Sequence, residues 1–469
     1  MTTPIIRLAV AGGLCLVLAG LSVGGAALPV REPRPAAPVD PDGRTVTVCP
    51  AAPTVNLVST TTWGALSSRP INDDDLAPVP AGRGATLTDV AEPVLMIAEG
   101  RQNTGAAASA YARHPAGPDR GLSLARCGTP ATSSWFTGLV SNPDEPTSST
   151  RTEVVLINAD AGAAEADLVL FGPTGLQVAP GARGIAVPGR SARTVALETL
   201  FTRAEPVGVQ VRSSRGRVAA VIQQRTSAGA QPAGTDWQVA AAPPAQELVV
   251  AGIAGGAGQR TLVLTNPGKR RTTATIEVLG PEGPFAPADA ATLDVNAEST
   301  AQVPLHQALD GEPATVRITA EQPLAAAVVA RGSDEPDADI AVQPASAPLS
   351  ATSIGALAVA PGVRGALLVA NAGDADAVVP VRLVGTDGAE LMATDLRVPP
   401  GTTVEWGMDQ VEQPAGVQVA APAGSELYAG LALTSGADPA AGLATTPLSV
   451  PQTEQGGGIE PAFDPGAGR

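Results

Sequence analysis

One stretch of this chain occurs three times, and no other feature limits the possible folds as strongly. The first copy runs EVVLINADAG, ADLVLFGPTG and GIAVPGRSARTVAL between Glu153 and Leu197, the second opens TLVLTNPGK at Thr261, and the third opens ALLVANAGD at Ala366. Asn158, Asn266 and Asn371 hold one repeat position and Gly172, Gly280 and Gly385 another, and both sets are spaced 108 and then 105 residues apart. Two markers keeping one period define a structural unit. Residues doing the same task in every copy make the fold, so a functional site is expected where the copies differ. Those places are the insertion Ser141 to Thr150, the GTDW element at Gly234 to Trp237, and the acidic loop Asp334 to Asp339.

Within each copy, short runs rich in Val, Leu, Ile and Thr alternate in polarity. In TATIEVLG, Ile276 and Val278 point one way and Thr275 and Glu277 the other, the pattern of a strand with one buried face. The runs are separated by turn dipeptides such as Glu282-Gly283, Asp387-Gly388 and Pro400-Gly401. The 52 glycines and 45 prolines imply frequent turns, and no helical period follows residue 30. The fold class expected is all-β: tandem immunoglobulin-like β-sandwich domains, with a β-propeller of two four-stranded blades per repeat as the alternative. The units expected are a degenerate one at 44–130 and three clear repeats at 131–246, 247–351 and 352–449, followed by a disordered tail at 450–469.

Arg7 precedes an uncharged run of 23 residues from Leu8 to Val30, long enough to span a bilayer. It is read as a signal anchor, one N-terminal transmembrane helix over residues 1–30. A cleaved secretory signal ending near Gly25-Ala26-Ala27 is the other reading. A Pro-rich linker at 31–43 follows. Both readings place the bulk of the chain outside the cytoplasm, tethered to the cell membrane in the first case. In an oxidising compartment Cys49 and Cys127, at the two ends of the first unit, are expected to form a disulfide. The net charge of −16 argues against a nucleic-acid partner, which would need clustered cations.

No constellation for chemistry emerges. His114 and His306 are the two histidines, and they lie in different units at non-equivalent positions. There is no H-E-x-x-H, C-x-x-C or G-x-S-x-G. The glycine run Gly252 to Gly258 lacks the Lys-Ser/Thr of a phosphate loop and reads as a turn. The acidic clusters at Asp73 to Asp75, Asp334 to Asp339 and Asp374 to Asp376 match no calcium loop. No catalytic, cofactor-binding or metal-ligating residue is therefore assigned. The candidate interaction residues are Trp63, in a Thr-rich stretch, and Asp236 with Trp237. Trp237 is expected to pack between adjacent units, with Asp236 capping a turn.

The ordered set of short motifs resembles the family DUF5719: Val48-Cys49-Pro50, Cys127 followed by Trp135-Phe136, the turn Gly172-Pro173-Thr174-Gly175, the V-P-P-G-T-x-V strand pair, and the GTDW element. The resemblance implies an exported, membrane-tethered actinobacterial envelope protein of unknown activity, with envelope glycosyltransferase machinery among its neighbours. It brings no catalytic residues. The function expected is thus a non-enzymatic, membrane-anchored extracytoplasmic scaffold or adaptor that binds an envelope protein. A cell-wall glycan-binding module and an accessory subunit of an envelope glycosyltransferase are the alternatives, and a hydrolase using His114 or His306 is a third class.

Overall fold

A computed structural model describes residues 45–59, 65–80, 82–99, 106–351, 353–357, 361–435 and 442–448. The expected anchor, the Pro-rich linker, Trp63 and the tail lie outside the described residues. Among those described, no helix is long and apolar enough to cross a membrane. The structure is all-β, and its elements fall into four modules.

The second module shows the plan most clearly. Strands β9 (Ser133–Ser141), β15 (Arg203–Arg215), β11 (Ala164–Gly172) and β12 (Gly175–Gln177) form one sheet in that order. Strands β14 (Ser191–Ala196), β10 (Ser148–Asn158), β16 (Ala219–Ala228) and β17 (Gln231–Val239) form the other. Phe136, Leu156, Leu170, Val209 and Ile222 fill the space between the two sheets. Alternation along β11 and the equivalent β20 (Thr272–Gly280) places every second side chain in that core. The order is not that of an immunoglobulin constant domain, in which the first two strands share a sheet. Here the chain changes sheet at each of its first two connections.

The other modules repeat the plan. The first pairs a sheet led by β1 (Thr45–Cys49) with one ending in β8 (Gly121–Arg126). The third pairs a sheet led by β18 (Ala245–Ile253) with one ending in β25 (Ile340–Pro344), and β24 (Ala314–Arg331) is long enough to serve both. The fourth pairs a sheet led by β26 (Ser353–Leu357) with one ending in β33 (Leu443–Pro447).

Each module also packs against the next. Val48 and Leu95 meet Ile157 and Ala219 between modules one and two. Trp135 and Phe171 meet Ala325 between two and three, their rings 5.6 Å apart. Ala254 and Ala330 meet Leu368 and Ala432 between three and four. Val58 and Ala107 meet Ile354 and Ala356 between four and one. The last contact closes a circle, so the described residues form one compact unit rather than beads on a string. Alanine recurs on these faces because two sheets approach closely where side chains are short, and an aromatic-poor composition suits such packing.

The repeat markers act as the sequence implied. Asn266 Nδ2 donates to the carbonyls of Arg270 (2.8 Å) and Asn296 (2.9 Å), while its Oδ1 accepts from Gly268 N at 2.9 Å. Asn158 makes the same set with Gly162, Pro188 and Asp160, and Asn371 with Ala375, Val398 and Gly373. Each asparagine ties its strand end to the turn beyond and to the returning strand. A second recurrence links modules: Thr300 Oγ1 donates to Phe171 O at 2.8 Å, and Thr403 Oγ1 to Leu279 O at 2.6 Å. Both carbonyls precede a marker glycine. In the first module Cys49 and Cys127 are joined by a disulfide with Cα atoms 4.5 Å apart.

Candidate functional site: the polar axis

The last strands of the modules, β8, β17, β25 and β33, lie side by side in a closed set of four around the ring's axis. They are buried on both faces, so the in–out alternation that marks the outer strands is absent from them. At one level of this axis the four modules carry Gly121-Leu122, Gly234-Thr235, Asp339-Ile340 and Gly442-Leu443.

A single carboxylate occupies that level. Asp339 Oδ2 accepts from Leu122 N (2.8 Å) and Leu443 N (2.9 Å), and its Oδ1 from Thr235 N (3.1 Å) and Ile340 N (3.0 Å). One backbone amide from every module therefore points at the same side chain. The glycines make room for it: a Cβ on Gly234 would stand 2.3 Å from Asp339 Oδ1, and one on Gly121 2.6 Å. Above it, Arg120 Nη1 bonds the carbonyls of Ala233 (3.0 Å) and Asp337 (2.7 Å), stitching the first module to the second and third.

The next level holds Asp236, whose Oδ2 accepts from Val342 N of the third module at 2.7 Å. Its Oδ1 finds no partner at hydrogen-bonding geometry. Burial raises the Asp236 pKa to about 8, against the pull of the Val342 and Trp237 amides. Burial also pushes Asp339 well above the ordinary carboxylate range, and the Asp236 charge adds to this, while the amides of Leu443, Leu122 and Ile340 oppose it. The two groups titrate as a coupled pair. Asp339 accepts from four amides and Asp236 from fewer, so the charged form is better held at Asp339. Further along, Ser123 Oγ donates to Thr235 O at 2.9 Å, and Arg126 N to Thr446 Oγ1 at 3.0 Å.

Asp236 and Trp237 thus do not present a surface to a partner, which corrects their reading as interaction residues. Asp236 is 1% and Trp237 7% exposed, because both strand faces are covered at the axis. Trp237 packs with Val221 against Cys127 and Ala125 of the first module, and Asp236 joins two modules rather than capping a turn. The GTDW element and the end of the acidic loop, distant in sequence, meet here. The insertion Ser141 to Thr150 does not join them; it forms the connection from β9 to β10, closed by Asn142 N to Thr150 O at 3.0 Å. The glycine run Gly252 to Gly258 cages a cation instead of a phosphate: Arg260 donates to the carbonyls of Ala254, Gly255 and Gly258. Among the described residues no three His, Cys, Asp or Glu side chains converge as a metal site.

A ring of four two-sheet modules locked on one buried carboxylate is the class of protein these features define. By its sequence the chain belongs to DUF5719, a family of unknown function, whose profile matches residues 83–409. No curated protein matches it. Among solved structures, the lipid-containing bacteriophage PM2 is 12% identical and covers 62% of this chain and 85% of its own, with a TM-score of 0.11. A point mutant of Salmonella alpha-2-macroglobulin is 11% identical, covers 88% of this chain and 30% of its own, with a TM-score of 0.12. Scores this low establish no shared fold.

Proposed function

We propose that this chain is a non-enzymatic scaffold of the cell envelope, tethered to the membrane by its N-terminal segment and holding a protein partner outside the cytoplasm. The observation that supports this reading most is the use made of the buried acids. Asp236 and Asp339 would be the natural acid–base pair of an enzyme, yet they are 1% and 0% exposed, and Asp339 is filled by four amides. Their chemistry is spent on joining modules. The Cys49–Cys127 disulfide fits an exported chain. The two-sheet modules of the described residues, packed face to face around an axis, favour a propeller-like ring over tandem immunoglobulin-like domains. The glycan-binding alternative needs exposed aromatic rings, and Trp135 and Trp237 are buried.

The reading is tested on the full chain in intact cells and in mild-detergent membrane extracts. External protease should digest the ring, which should sediment with membranes and retain one envelope protein above the background set by an unrelated anchored protein. Protection from external protease, or recovery of background alone, overturns it.

A further inference from the structure

Two arginines of the ring, Arg260 fully buried and Arg126 partly buried, have no carboxylate partner within ion-pair distance, and they differ in one respect. Arg260 spends its guanidinium on carbonyls, Nε and Nη2 on Ala254 O and Nη1 on Gly258 O and Arg331 O. Arg126, at the end of β8, gives Nη2 to Ala240 O at 3.1 Å, and its Nε has no partner. Arg126 lines a partly enclosed cavity of about 320 Å³ between the first and second modules. That volume lies in the range of small-molecule sites. No Asp or Glu is among the residues lining it.

We propose that this cavity binds a small oxyanion, a carboxylate or phosphate group carried on a largely apolar body. Thr129, Ser133 and Ser134 supply hydroxyls to the lining, and Trp135 and Val239 supply apolar wall. A largely desolvated guanidinium with one N–H unpartnered favours a nearby anion. Burial alone lowers the Arg126 pKa to about 10, so the group stays charged at neutral pH. The planar guanidinium fork matches the two oxygens of a carboxylate or phosphate. A chain of net charge −16 repels anions over most of its surface, so a site for one needs a localised cation such as this. The carbonyl-caged Arg260 shows what the same fold does when the arginine is purely structural.

Isothermal titration of the full chain with benzoate, phenyl phosphate and neutral benzyl alcohol tests the proposal. One or both anions should bind at a single site and benzyl alcohol should not; which anion binds more tightly tells carboxylate from phosphate. Arg126→Met, which removes the buried charge at similar volume, should weaken binding at least about tenfold while the melting temperature holds or rises. Arg126→Lys keeps the charge without the fork and should fall between. Absence of binding by both anions, equal binding of benzyl alcohol, or unchanged affinity in Arg126→Met with the fold intact overturns the proposal. If Arg126→Met does not fold, the Lys variant decides: affinity equal to the parent's counts against the site.

Discussion

Asp339 is the residue on which most of the ring converges. Its two oxygens take an amide from each of four modules. Asp339→Asn keeps the shape but turns an NH2 group toward two N–H donors, and it should cost about 3–5 kcal/mol, as breaking a buried charged contact does, read by denaturant unfolding. Asp236 adds a pH dependence of its own. Its folded pKa of about 8 lies above the usual 3.8, so the folded state holds a proton the unfolded chain has lost. Its contribution is full below about pH 4 and is lost as pH rises through about 8. The parent's melting temperature should fall across that window, and Asp236→Asn, which still accepts from Val342 N, should flatten the fall. An equal slope in parent and variant would assign the proton elsewhere. The marker asparagines are simpler: Asn266→Ala removes the side-chain bonds to three carbonyls and one amide and should cost about 1–3 kcal/mol, a loss Asn371→Ala should match.

At the level of elements, much was legible in the sequence and some was not, for identifiable reasons. Strands such as β11 and β20 have one covered face in their first half, so alternation exposes them. The asparagines recur because each closes the same turn. The disulfide could be read from Cys49 and Cys127 lying at the ends of one degenerate copy, and it is present. It closes a loop of 78 residues, so reducing it should cost about 4 kcal/mol, checked by melting with and without reductant. The axial strands were not legible, because strands covered on both faces lose their period. The sign of closure was there in a muted form, as Gly121, Gly234, Asp339 and Gly442 at equivalent positions. Three glycines beside one aspartate look like loop composition until the fold brings them together. Immunoglobulin-like tandem domains were the natural reading of two-faced strands, since nothing local announces that a fourth module returns to the first.

At the scale of the whole molecule, the four modules should open as one cooperative body. The apolar seams run full circle, and the link between modules four and one rests on small contacts such as Ile354 and Ala356 against Val58 and Ala107. The axis is what fastens them. The most direct measurement is amide hydrogen exchange resolved to Leu122, Thr235, Ile340 and Leu443 in the parent and in Asp339→Ala. Amides that open only with the whole body exchange at one common slow rate. That rate is expected at all four positions in the parent, with joint acceleration in the variant although three of them lie in other modules. Four different rates in the parent, or acceleration confined to Ile340, would contradict it.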